Sequence, residues 1–243
     1  MYNKYKFKND TVILMGDTHS TSVTHDLLLR IPDGNDVVHC GDGGWGFGNV
    51  SYSLDNAKSW LDKINKICQK LNIVLYHQIG NHDNPAVWEL PPSWSNVMLV
   101  KSGDIGIFPN GKKVIFIGGG VSVDRCCRTE GIDYWKDEVT PVLADIEKCD
   151  IMFSHDCPEY FNHSTGSLPE RFQWAIDKDP LLMDDCNCQR INMNNIVKDS
   201  GVSVIISGHY HNTIRDEANG VYYRCLDINE LYEFNSTLDY RLV

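Results

Sequence analysis

No stretch of this 243-residue chain approaches the roughly 20 apolar residues that a membrane helix requires, so no spanning helix is expected. Basic clusters are also missing. Lysines and arginines never group beyond two, and 22 basic against 33 acidic residues leave a net charge of −11. That balance argues against a large phosphate-neutralising footprint, and so against long nucleic acid as partner. It leaves a small polyanionic substrate open, and part of the acidity reads as metal-ligand carboxylate. No glycine-rich loop ends in Lys-Ser or Lys-Thr, which removes the common nucleotide cradle. No cysteine is followed six residues later by arginine, which removes cysteine-phosphatase chemistry. Linkers, repeats and low-complexity tracts are absent, and one domain over residues 1–243 is expected. Met1 to Asp10 alternates lysine with aromatics and has no apolar stretch of signal-peptide length. The nine cysteines are an odd number, and most lie in apolar runs such as Cys40, Cys68, Cys149 and Cys225. The expectation is a cytoplasmic protein with reduced thiols.

What is present is a repeated grammar: an apolar run, a small residue, then residues that bind ions or protons. It occurs at Met15-Gly16-Asp17-Thr18-His19, Cys40-Gly41-Asp42-Gly43, Ile79-Gly80-Asn81-His82-Asp83, Phe153-Ser154-His155-Asp156 and Ser207-Gly208-His209-Tyr210-His211. Each apolar run reads as a buried strand and each small residue as the exit from it. Helical spacing is clearest over Leu54 to Leu71, and weaker helices are expected over Thr21 to Arg30, Val139 to Lys148 and Leu181 to Asp199. Val97 to Val100, Ile105 to Phe108 and Val114 to Ile117 read as strands, the last two joined by the turn Pro109-Asn110-Gly111-Lys112. Val221 to Ile228 and a tail of Leu231 to Phe234 and Tyr240 to Val243 close the chain as β. Glu159 to Pro180 has no clean period and reads as an inserted loop that shapes specificity. The order favours two central sheets with helices outside.

Taken singly, each cluster has a plain alternative: a turn, a helix cap or a buried histidine satisfied in the core. Taken together, five strand ends carry five of the nine histidines, and sites in α/β sheets form at the carboxyl ends of strands. If extended, Asp17 with His19 and His209 with His211 would each place two donors on one face. Leaving His82 aside, two Asp, one Asn and four His make seven nitrogen and oxygen donors with no thiolate. Mixed imidazole and carboxylate donors suit Mn, Fe, Zn, Co or Ni, and seven suit two ions sharing a carboxylate. Two such ions clamp the attacking and leaving oxygens of an in-line displacement, which fits phosphate esters.

The ordered set Asp-x-His, Gly-Asp, Gly-Asn-His-Asp, His and Gly-His-x-His resembles the calcineurin-like metallophosphoesterase superfamily over residues 17 to 211. The resemblance implies a four-layer α/β/β/α sandwich with a dimetal site, Mn favoured. It implies that Asp17, His19 and His211 hold one ion, that Asn81, His155 and His209 hold the other, and that Asp42 bridges them. It implies attack on phosphorus by a metal-bridging hydroxide. His82 would donate a proton to the leaving group or stabilise transition-state charge, and Asp83 would orient His82. Many members read Gly-Asp-x-x-Asp with Arg next, whereas Gly41-Asp42-Gly43-Gly44-Trp45-Gly46 lacks both. The phosphoprotein-phosphatase branch uses Gly-Asn-His-Glu, whereas Asp83 stands here. Gly118-Gly119-Gly120 through Arg125, Arg128 and Tyr134-Trp135 resembles a block in small microbial and phage members, so Arg125 or Arg128 would contact phosphate. The expected substrate is a phosphorylated small molecule, nucleotide or phosphoprotein. The alternatives are a nuclease or cyclic-nucleotide phosphodiesterase of the same fold, or a binding protein that has lost catalysis. Cys126-Cys127 with Cys186-Asn187-Cys188 could form a zinc site, though the spacing fits no common motif.

Overall fold

β-branched and aromatic runs form the strands, and their alternation sets the layers. In the computed structural model, which describes residues 2–47, 53–161 and 173–240, twelve strands form two sheets. One is five-stranded, in the order β12 (Leu231–Asn235), β2 (Thr11–Met15), β3 (Asp36–His39), β4 (Val74–Gln78), β5 (Val97–Val100). The other is seven-stranded: β1 (Lys4–Lys6), β6 (Ile105–Ile107), β7 (Lys113–Ile117), β8 (Ile151–Ser154), β9 (Val204–Ser207), β11 (Val221–Cys225), β10 (Ile214–Ala218). Both are mixed. β2 to β5 run parallel, as do β7 to β9 and β11, while β12, β6 and β10 pair antiparallel with a neighbour.

Successive side chains of a strand face opposite ways, and here both faces are apolar, as expected for parallel strands covered on both sides. Val12 and Leu14 of β2 face the core between the sheets, where they meet Phe116 and Phe153 from the other sheet. Met15 faces the outer layer with Leu28 of α1 (Thr21–Leu28) and Leu61 and Ile64 of α2 (Leu54–Lys70). In the second sheet, Phe153 faces inward while Met152 packs outward with Met193 and Ile196 of α3 (Leu182–Ser200). The result is the expected α/β/β/α layering.

Two differences from the sequence expectations have local causes. Val139 to Lys148 is not helical. Pro141 has no N–H to donate, and the Thr140 N–H and carbonyl are taken by Gln189 and Asn192 of α3. β10 was not anticipated, because it is an edge strand of largely exposed, charged residues. The Asn219-Gly220 turn that joins it to β11, both residues at positive φ, is the signal that would have found it. Tyr240 lies outside any strand, and the rest of the expected tail falls beyond the described residues. So do residues 162–172 of the expected insertion; residues 173–176 are helical.

Candidate metal centre

Parallel pairing brings the carboxyl ends of β2, β3 and β4 level in one sheet, and those of β8 and β9 level in the other. The loops leaving them carry Asp17 and His19, Asp42, Asn81, His155, and His209 with His211. They are locked by backbone bonds: Thr18 and His19 N–H donate to the Asp42 carbonyl at 3.1 and 2.8 Å. Gly80 and Gly208 permit the closest approaches. A Cβ on Gly80 would sit 2.1 Å from Asp42 Oδ1, and one on Gly208 would sit 2.1 Å from Asp17 Oδ1.

Two donor groups result, each with ligand atoms within 4.8 Å of one another: Asp17, His19, Asp42 and His211, and Asp42, His155 and His209. Asp42 belongs to both. Within the first, His211 Nε2 lies 3.0 Å from Asp17 Oδ2 and 2.8 Å from His19 Nε2. Within the second, His155 Nε2 lies 3.3 Å from Asp42 Oδ1 and 2.9 Å from Asn81 Oδ1, which places Asn81 beside this group. Four of these residues, His19, Asp42, His209 and His211, have positive φ. Non-glycine residues rarely adopt that backbone, and such strain collects at functional sites. It also corrects the extended geometry expected for His209 and His211: they fall in different groups.

The donor chemistry fits a cation. His155 donates its Nδ1–H to the Cys40 carbonyl at 2.8 Å, which leaves Nε2 facing two oxygen acceptors. A lone pair cannot rest against two acceptors, so that nitrogen needs a proton or a metal ion. Burial alone would lower the His155 pKa, but the Asp42 and Asp17 carboxylates raise it to about 10. Burial works against the Asp42 charge too, yet His155 and His82 hold its carboxyl well below the usual range.

His82 lies over the first group, its ring centroid 4.6 Å from that of His19. Phe47 stacks on it at 4.7 Å and 21°. Arg128 donates from Nη2 to His82 Nε2 at 2.7 Å, is held by Asp124 at 2.8 Å, and its guanidinium lies 5.0 Å from the Phe47 centroid. Burial, with the Arg128 charge added and Asp42 opposing, pushes the His82 pKa down to about 4.

Asp83 and Arg125 have other partners than the ones expected. Asp83 makes no described hydrogen bond to His82. Its carboxylate accepts the N–H groups of Trp45 and Gly80, both at 2.9 Å, and lies 3.6 Å from the buried His77. It therefore braces the loops after β3 and β4 against each other. Arg125 donates to Asp179 and Asp185, both at 2.6 Å, and lines an open groove of about 810 Å³ beside α3. Arg128, not Arg125, reaches His82.

Sequence reasoning missed His39 and His77, buried with ring centroids 4.4 Å apart behind the site. A histidine inside each of two apolar strands was the available signal. It also missed Ser122 and Glu138, both buried beside Asn81. Cys126 and Cys127 sulfurs are 3.8 Å apart, beyond disulfide length, and among the described residues no cysteine joins a metal-ligating group. Nor is any described helix long and apolar enough to cross a membrane.

No curated protein matches the chain. Among solved structures it is similar to GAP50, "the anchor in the inner membrane complex of Plasmodium", at 10% identity over 89% of this chain and 71% of that chain; the TM-score of 0.39 is too low to carry an argument. The pattern of the calcineurin-like phosphoesterases matches residues 10–213, which takes in every candidate ligand, and the chain belongs to that family.

Proposed function

We propose that the chain is a metal-dependent phosphoric ester hydrolase acting on a phosphomonoester or phosphodiester of a small molecule or nucleotide. The observation that carries this is the sharing of buried Asp42 between two donor groups, with His82 and Arg128 alongside. Asp17, His19, Asp42 and His211 would hold one divalent ion, and Asp42, Asn81, His155 and His209 the other, with Mn favoured over Fe, Zn, Co and Ni. Bound ions would supply positive charge at the phosphoryl oxygens and lower the pKa of water.

The chain's own residues do the rest. Arg128, held by Asp124 and the Asp133 carbonyl beside His82, would supply positive charge to a phosphoryl group there. Its bond to His82 Nε2 makes that nitrogen an acceptor, so the neutral ring carries its hydrogen on Nδ1. His82 then stabilises charge on the transferring or leaving oxygen by donating from that ring, and Phe47 holds the ring's plane. The net charge of −11 favours compact substrates over long nucleic acid. The test is a screen of chromogenic phosphomonoesters and phosphodiesters with Mn, alongside single-stranded DNA and dinucleotides. Metal-dependent turnover of a small ester is expected. A preparation loaded with metal that turns over none of them would refute the proposal.

A further inference from the structure

Asparagine presents an oxygen and an NH₂ of nearly equal shape, and only the oxygen is a metal ligand. Something must decide which end of Asn81 faces His155. Asn81 Nδ2 donates to Ser122 Oγ at 3.0 Å, and Ser122 Oγ donates to Glu138 Oε2 at 2.9 Å. The Ser122 N–H donates to the other carboxylate oxygen, Oε1, at 2.6 Å. All three residues are at most 2% exposed. A hydroxyl has one hydrogen. Once Ser122 gives it to Glu138, its lone pairs can only accept, so the end of Asn81 that faces them must be the NH₂.

We infer that Glu138, acting through Ser122, is a positioning residue that fixes the amide of Asn81 with Oδ1 toward the metal group of His155 and His209. The backbone is shaped for this. Gly120 N–H donates to the Glu138 carbonyl at 3.0 Å, and Gly119, at φ +92°, has no room for a Cβ, which would sit 2.7 Å from that carbonyl. A Cβ on Gly120 would crowd the rings of His155 and His209 at 3.2 and 3.3 Å. The glycine run thus lets Glu138 approach the ligands from behind. The same hydroxyl lies 3.4 Å from Arg128 Nη1, so one carboxylate stands behind both Asn81 and the arginine that touches His82.

The inference rests on the dimetal reading, and its test separates the two. In Glu138→Gln, the Ser122 N–H still needs the remaining carbonyl oxygen, so the new NH₂ faces Ser122 Oγ. Ser122 then loses the acceptor of its hydrogen, and Asn81 Oδ1, once the amide has turned over, is the group able to take it. Calorimetric Mn titration of metal-stripped protein is expected to show two sites in the wild type. Glu138→Gln and Ser122→Ala should each weaken one site by about 10- to 100-fold, as loss of an outer hydrogen-bond partner does, and leave the other unchanged. Ser122→Thr, which keeps the hydroxyl, should restore it. Melting of the stripped proteins shows whether a variant folds, and if Glu138→Gln does not, the Ser122→Ala and Ser122→Thr contrast carries the test. Folded variants that bind both ions as tightly as the wild type would overturn the relay alone. A wild type that binds no second ion would overturn the relay together with the dimetal reading.

Discussion

His82 and Arg128 show how little of a side chain's task is visible in its neighbours along the chain. The family resemblance marks His82 as a reactive residue beside a ligand, and implies Asp83 as its partner. In the fold, Asp83 faces the backbone of Gly80 and Trp45, while Arg128, 46 positions away, meets His82. Replacing His82 by alanine should lower kcat by about 10²- to 10⁴-fold, as removal of a group serving the transition state does, with metal content nearly unchanged by elemental analysis. Arg128→Ala should cost kcat/KM roughly 10²- to 10³-fold, the range for losing one donor to developing charge. Arg125→Ala should stay near wild-type turnover, because its guanidinium serves Asp179 and Asp185. Equal losses from the two arginine variants would return the phosphate contact to an open choice.

At the level of elements, strand ends place the site. Gly208→Ala puts a methyl 2.1 Å from Asp17 Oδ1, and something must move. The expected outcome is loss of metal from the group of Asp17, His19 and His211, with a much smaller drop in melting temperature. Unaltered metal binding would mean that the loop after β9 yields freely. The strands were legible because their apolar runs are short, bounded by glycine and turn residues, and filled on both faces. The seven candidate ligands were legible because each follows such a run. Their geometry was not. His19, Asp42, His209 and His211 leave their strands through left-handed backbone, which no periodicity encodes. Val139 to Lys148 was misread because the Thr140 N–H and carbonyl are taken by Gln189 and Asn192 of α3, which are tertiary partners. β10 was missed because a largely exposed, charged edge strand has no apolar run, and β1 because it is only three residues long.

Across the whole molecule, one sheet delivers two buried carboxylates to the histidines of the other, and holding them there has a cost. Asp17 and Asp42 are almost fully buried among histidines, and bound cations would add positive charge beside their carboxylates. Metal should therefore stabilise the fold. At a free Mn concentration of 100 times Kd, one site contributes about 2.7 kcal/mol, which at roughly 2–4 °C per kcal/mol for a chain of this size is a rise of several degrees in Tm. Differential scanning fluorimetry with and without chelator checks this. An unchanged Tm at saturating metal would count against tight binding.

The most direct measurement of the dimetal reading is anomalous scattering from a Mn-soaked crystal. Two peaks are expected, roughly 3.5–4 Å apart, with Asp42 between them, Asp17, His19 and His211 on one, and Asn81, His155 and His209 on the other. A single peak, or two that do not share Asp42, would contradict it.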